Sequence, residues 1–503
     1  MDILHNLILG FSTALTPENL FYCFAGVLLG TFIGVLPGLG PTATIAMLLP
    51  ITYYLSPTAS LIMLAGIYYG SQYGGSTTAI LMNLPGEVSS SVTAIDGYQL
   101  ARKGKAGTAL AIAAIGSFIA GTFATFVIAL AAMPLSDIAL SFGSAEYFSL
   151  ILLGIVISTT LAHGSMVRGM AMILTGMLFG LVGTDPETGM FRFTFGMIEL
   201  SDGVETVAVA LGIFGLSEIL RNLEQNASTG AITTAKITSL MPSREDLKKS
   251  AGPIMRGSVL GAVMGVLPGG GSILSAFSSY ALEKKLSRHP EQFGHGAIEG
   301  VAAPESANNA GAQTSFIPML TLGIPPNALM ALMAGALMIQ GITPGPNVVY
   351  QQPELFWGLI ASMWIGNAML VILNLPLVGL WVSLLKIPYS IMLPAIVVFS
   401  TLGVYTVNNS GFDLYTLLFF GLAGYLFRRF DCEVAPFLIG FVLSGLLETH
   451  FRRALSFSSG NLDTFITHPI SAGILAVAAL VILLVAMPSV RKTREVAFAD
   501  SED

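Results

Sequence analysis

Two short stretches hold the side chains best suited to binding chemistry. Gln72, Ser76, Thr77 and Thr78 lie in YYGSQYGGSTT, and Glu305, Ser306, Asn308, Asn309, Gln313, Thr314 and Ser315 lie in PESANNAGAQTS. Both are set in apolar surroundings. Amides and hydroxyls withdrawn from water must find partners, because each one left unpaired costs on the order of 2–7 kcal/mol. Carboxylates of a substrate could supply those partners, as could the clusters themselves. Taken singly, Thr77 or Ser315 reads first as glue between helices. Taken as clusters beside glycine-proline breaks, they read as a pocket. Glu305 follows Pro304, and an ionisable group inside a membrane protein is a functional candidate. It could hold a coupling cation, exchange a proton or cap a helix at the membrane edge. Glu205, Asp413 and Glu448 are weaker candidates of the same kind. Glu448 and Arg452 lie four apart and are expected to pair on one helix face.

What positions these clusters is a duplicated element. GVLLGTFIGVLPGLGPTATIA starts at Gly26, and GSVLGAVMGVLPGGGSILSAF starts at Gly257. Aligned from those glycines, the copies share GVLPG (Gly34 to Gly38, Gly265 to Gly269), Leu29/Leu260, Gly30/Gly261 and Gly40/Gly271, which marks an internal repeat. Each apolar run reaches Pro-Gly-x-Gly, where glycine loosens the backbone and proline cannot donate a hydrogen bond. Polar residues follow at once: Thr42 and Thr44 in the first copy, Ser272 and Ser275 in the second. The pattern predicts two half-length helices joined at a tip, each reaching about half of a ~30 Å apolar core. Such a break is tolerated at depth only against protein or a watery cavity. A half-helix starting at the tip aims N–H groups and a positive dipole end inward, which suits a carboxylate.

Composition fixes the class. Hydrophobic residues make up 53% of the 503, charged ones 10%, and mean hydropathy is +0.76, the profile of a polytopic membrane protein. Cys23 and Cys432 show no metal or redox spacing and read as packing residues. The six histidines are scattered, without HExxH, so no catalytic metal is expected. There is no GxxxxGK[ST] for ATP and no GxSxG nucleophile elbow. No nucleic-acid partner is indicated.

In chain order, residues 1–15 read as a short interfacial helix rather than a cleaved signal. A first repeat (1–222) holds a broken hairpin 19–55, an interrupted helix 57–85 and scaffold spans within 107–222. A cytoplasmic linker follows at 223–256. The second repeat (257–488) holds a hairpin 257–282, an interrupted helix 305–341 and scaffold spans within 355–488, before a cytoplasmic tail 489–503. The segment 434–449 is short and reads as a span or a re-entrant piece. With the loops around Lys103, Lys249, Lys285 and Arg429 and the C-terminus inside, only Arg192, Arg452 and Arg453 of the 22 Lys and Arg fall outside. This layout puts the two hairpins on opposite faces. The expected fold is therefore all-α and polytopic, with two inverted structural repeats, each with a broken re-entrant hairpin and an interrupted helix, plus scaffold helices.

GVLPGLGPTATIA, YYGSQYGGSTTAILMNLPG, GVLPGGGSILSAF and AAPESANNAGAQTSFIPMLTLGIPPN together resemble the large membrane subunit of tripartite tricarboxylate transporters, the TctA type. The resemblance spans essentially the whole chain. It implies a multi-pass carrier of the bacterial inner membrane, not an enzyme, working with a small four-span membrane subunit (TctB type) and a periplasmic solute-binding protein (TctC type). It further implies uptake of a citrate-like di- or tricarboxylate driven by an ion gradient, with Na⁺ or H⁺ as coupling ion and no other cofactor.

The expected substrate-binding residues are Gly38, Gly40, Thr42, Thr44, Gln72, Thr77, Thr78, Gly270, Gly271, Ser272, Asn308, Asn309, Gln313, Thr314 and Ser315. Glu305, Pro37, Pro268 and Asn83 are expected around the cation, since hard cations prefer oxygen ligands. The hairpin-bearing unit is expected to shift against the scaffold in an elevator-like motion, possible homo-oligomers included. A carrier of another small organic anion, a passive anion channel and an intramembrane enzyme using Glu305 or Ser272 stay open as alternatives, though no base-nucleophile pair is visible for the last.

Overall fold

A computed structural model describes residues 3–36, 40–83, 86–161, 166–185, 187–224, 240–267, 271–384 and 389–486. The first half runs α1 (Ile3–Ala14), α2 (Pro17–Val35), α3 (Pro41–Thr52), α4 (Pro57–Met82), α5 (Ser91–Arg102), α6 (Ala106–Leu140), α7 (Ser144–Leu161) and α8 (Met166–Gly180). A two-residue antiparallel ribbon, Gly183–Thr184 with Phe191–Arg192, precedes α9 (Thr206–Ala210), a π turn (Leu211–Leu216) and α10 (Ser217–Glu224).

The second half runs α11 (Arg244–Val266), α12 (Gly271–Leu286), α13 (Glu299–Thr314), a π turn (Pro318–Leu322) and α14 (Ala328–Ile339). It continues with α15 (Pro346–Gln351), α16 (Pro353–Asn374), α17 (Val378–Leu384) and α18 (Tyr389–Asn408). The last helices are α19 (Gly411–Arg429), α20 (Val434–Phe457), α21 (Thr464–Thr467) and α22 (Pro469–Ala486). Among the described residues α2, α6, α16 and α20 are long and apolar enough to cross a membrane. The chain is an all-α polytopic membrane protein. α20 reaches Phe457 and is 24 residues long, enough to span.

Two helices form the centre. Every residue of α4 from Ala59 to Leu81 is buried, as is every residue of α13 from Gly300 to Thr314. Each is clasped by a neighbour through glycine. Gly26, Gly30 and Gly34 of α2 lie against the backbone of Met63, Ile67 and Ser71; Gly257, Gly261 and Gly265 of α11 lie against Ala303, Ala307 and Gly311. At each of these six positions a Cβ would overlap a carbonyl oxygen, so the approach excludes any other residue type. The partners in the two seams stand 240 positions apart, and the glycines 231 apart.

The helix breaks fall where Pro-Gly-x-Gly placed them. α2 ends at Val35 and α3 begins at Pro41; α11 ends at Val266 and α12 begins at Gly271, at φ +48°. Pro37, Gly38, Pro268, Gly269 and Gly270 lie outside the described residues. α11 and α12 lie side by side, held by a two-pronged ion pair from Arg256 to Glu283 (2.5 and 2.8 Å). α11 starts at Arg244, so the stretch 244–256 expected in the linker is helical, capped by a reciprocal Ser243–Asp246 pair.

One expectation fails. The stretch 57–85 was expected to be an interrupted helix, but α4 runs unbroken from Pro57 to Met82. Its polar residues do not break it, because Ser71, Thr77 and Thr78 return their hydroxyl protons to carbonyls three or four residues back. Its glycines serve close packing: Gly66, Gly70 and Gly74 face α2. In 305–341 the helix does stop, at the π turn that Pro318 opens and Gly323 (φ +72°) closes.

Candidate functional site

The polar stretches of α4 and α13 meet at the centre of the molecule. Glu305, at 1% exposure, accepts hydrogen bonds from Ser76 Oγ (2.6 Å) and from Thr93 Oγ1 of α5. It sits in mid-helix, so it caps nothing. A small cavity, with about 10 Å³ open to the centre of a water molecule, lies among Glu305, Tyr73, Ser76, Thr77, Ser117 and Asn374. The turn after α4 brings in a second carboxylate, Glu87. Gly86 presses on Gly34 and Gly75, which directs Glu87 toward Asn308 and within electrostatic reach of Glu305. Gln72 accepts from Ser89 Oγ (3.2 Å). This acid lobe draws on α4, α5, α13 and the turn before α5.

A neutral lobe lies beside it. The buried hydroxyl of Tyr68 of α4 lies near Ser272, Ser315 and Asn327 without a hydrogen-bond partner. Asn327 caps α14 by accepting from the N–H of Met330 (3.0 Å) and donates to Ser315 Oγ (3.4 Å). Ser315 donates to the carbonyl of Gly311 (2.7 Å), with the carbonyl of Gly265 3.2 Å from the same oxygen. Gly271, the first residue of α12, lies under the Asn327 side chain. The lobe therefore joins the second broken hairpin, the end of the broken helix and α4.

The two lobes correspond under the 240-residue shift. Tyr68 maps onto Asn308, and Glu87 maps onto Asn327. The neighbours Glu87–Asn308 and Asn327–Tyr68 therefore exchange. Asn83 and Gly323 correspond too, and both take left-handed backbone (φ +57° and +72°). Asn83 is an exposed C-cap of α4.

Donor chemistry sorts the expected residues. Thr44, Thr77, Thr78, Ser275, Thr314 and Ser315 spend their hydroxyl protons on carbonyls of their own helices, leaving lone pairs that suit a cation better than a carboxylate. Unspent buried donors include the amides of Asn308, Gln72, Gln313 and Asn367 and the hydroxyls of Tyr68, Tyr69 and Tyr73. Gln313 accepts from Thr125 Oγ1 (2.6 Å), and Asn309 donates to Ser117 Oγ (2.6 Å). Gly40, Thr42 and Thr44 belong to the first tip, where α3 packs on α14, α18 and the first π turn.

Glu87, Thr93, the three tyrosines, Asn327 and Asn367 were missed from sequence. Glu87 and Asn327 each stand two residues past a proline that follows the end of a polar helix, a spacing visible in the sequence. The weaker acid candidates have structural partners. Glu205 caps α9 by accepting from Ala208 N–H (2.8 Å), Asp413 accepts from Asn408 (3.0 Å), and Glu448 pairs with Arg192 (2.6 Å) and, as expected, Arg452 (2.7 Å). Among the described residues no three His, Cys, Asp or Glu come together to hold a metal.

Residues 20–439 match the tripartite tricarboxylate transporter TctA family. The chain belongs to that family. A protein of Agrobacterium vitis described as an uncharacterized 52.8 kDa protein in the TAR-I ttuC' 3'region is 59% identical over 502 residues, covering all of both chains. A second from the same organism, described as an uncharacterized protein in the TAR-II ttuC' 3'region, is 56% identical over 242 residues, all of its length and 48% of this chain. No solved structure matches. The TctA family is one of transporters.

Proposed function

We propose that this TctA-family chain is the large permease subunit of a bacterial inner-membrane carrier that imports a citrate-like di- or tricarboxylate, coupled to Na⁺ or H⁺. The observation that carries the reading is the pair of lobes at the centre. The neutral lobe offers Ser272, Asn327, Tyr68 and the N-terminal end of α12 to an anion, and the unspent amide of Asn308 lies beside Glu87. The acid lobe offers Glu305, Glu87 and the lone pairs of Ser76 and Thr77 to a cation. Two carboxylates held close in a low-dielectric interior favour a bound cation or a shared proton, and that cation offsets the charge of the incoming anion.

The correspondence of Tyr68–Asn327 with Asn308–Glu87 supports two repeats related by a pseudo-two-fold axis, the arrangement in which carriers place their site. The glycine seams make α2 with α4, and α11 with α13, natural moving units for an elevator-like step. A four-span subunit and a solute-binding protein would complete the assembly and supply much of the selectivity.

The test is uptake of labelled carboxylates into vesicles holding the chain with its partners. Accumulation is expected to collapse when both the Na⁺ and the proton gradients are removed. Full accumulation without either would refute the coupling, and uptake that never exceeds equilibrium would favour a channel.

A further inference from the structure

The three arginines on the face opposite the lysine-rich loops differ in their surroundings. Arg192 and Arg452 are locked to Asp185, Glu187 and Glu448 at 2.6 to 3.6 Å. Arg453, the next residue along α20, is exposed and pairs with no carboxylate among the described residues. It borders a cavity of about 640 Å³ between the α6–α7 turn, the segment 341–352 and the end of α20. That volume lies within the range of small-molecule sites. No Asp or Glu lines it, although acidic residues outnumber basic ones in the chain, 29 to 22. Asn347, Gln351, Gln352, Thr449 and His450 supply polar groups around Arg453. His450 stacks on Tyr147 at 4.9 Å, and its buried Nδ1 has no partner. The floor includes Leu322 and Gly323, the end of the broken segment that carries Ser315 seven residues earlier.

We infer that this cavity is a first station for the carboxylate, occupied before the anion reaches the two central lobes. Guanidinium binds carboxylate through two parallel N–H donors, amides and a hydroxyl complete the ring, and no acid opposes it. The inference rests on the proposed function for the nature of the anion. Its location rests on the cavity alone.

The test uses the full chain in proteoliposomes. Cys23 is buried and Cys432 lies at the other end of α20, so Asn347→Cys in a Cys432→Ser background gives one exposed thiol in the cavity. Its reaction with a membrane-impermeant maleimide is followed in the presence of citrate, succinate or chloride. Citrate or succinate, but not chloride, is expected to slow labelling about tenfold at about ten times its dissociation constant. Arg453→Gln is expected to abolish that protection and Arg453→Lys to restore part of it, which shows that the fold is intact. Asn308→Ala is expected to impair uptake while leaving protection in place. Protection by neither carboxylate, protection that survives Arg453→Gln, or protection lost in Asn308→Ala would overturn the inference. Unimpaired uptake in Asn308→Ala, with protection intact, would count against the central site and leave the outer station standing.

Discussion

The acid lobe and the neutral lobe are built from the same plan with one change of chemistry. In both, a polar helix clasped by a glycine-bearing neighbour ends in left-handed backbone, at Asn83 or Gly323, and the segment that follows returns a side chain to the centre. The first segment returns Glu87 and the second returns Asn327. Glu305 adds a further negative group on one side, where its counterpart under the 240-residue shift is Ala65. Two glycine-clasped helices thus give two similar neighbourhoods, and a few side chains make one acidic and leave the other neutral.

The strongest way to break this comparison is at Glu305. Glu305→Ala removes the acid and strands Ser76 and Thr93. Initial uptake is expected to fall at least about a hundredfold, since hydrogen bonds to charged groups contribute about 1.5–3 kcal/mol each. Uptake within about twofold of the parent would remove the acid lobe from the mechanism. Asn327→Glu makes the neutral lobe resemble the acid one. Like charge facing the anion costs several kcal/mol, so apparent affinity is expected to drop about tenfold or more; unchanged affinity would show that the anion sits elsewhere.

Gly30→Leu and Gly261→Leu probe the scaffold that the lobes share. Each drives a side chain into a carbonyl of the clasped helix, and each is expected to destabilise by about 1–3 kcal/mol or more. Thermal unfolding in detergent reads this, and a loss at only one of the two glycines would contradict equivalent seams.

The smallest effect lies at Asp185, in the loop between α8 and α9. N–H groups of Thr188 and Glu187, with Arg452 and Arg192, hold this carboxyl at about 2, below its ordinary 3.8. A depressed value means the stabilisation is complete above 3.8 and is lost as pH falls through about 2. Pepsin cleavage within 183–205 is expected to stay slow near pH 4 and quicken toward pH 2. Asp185→Asn is expected to be cleaved readily at both, and identical profiles would dissociate Asp185 from the loop's order.

Much of this arrangement was legible in the chain. Pro-Gly-x-Gly announced both helix breaks, because proline and glycine act on the backbone directly. The clusters on α4 and α13 announced the centre, because polar side chains in an apolar protein must converge. The break expected in α4 was misread from polarity and glycine content. A buried helix satisfies Ser and Thr internally, and glycine can mark close packing rather than a turn. Glu87 and Asn327 escaped notice because they follow helix ends, where a polar residue ordinarily faces water. The packing of Gly86 against Gly34 and Gly75 holds the backbone beside Glu87 close to α2 and α4. The donors Tyr68, Tyr69 and Tyr73 looked apolar by their rings, and their missing partners appear only in three dimensions.

The glycine seams also limit how the protein can deform. Backbone rests on backbone at the glycines of α2 and α11, which leaves little side chain between to change rotamer and take up slack. Sliding along either line would drive Cα atoms into carbonyls. Whatever rearrangement carries cargo across must therefore leave both lines closed and put its shear on surfaces padded by flexible side chains.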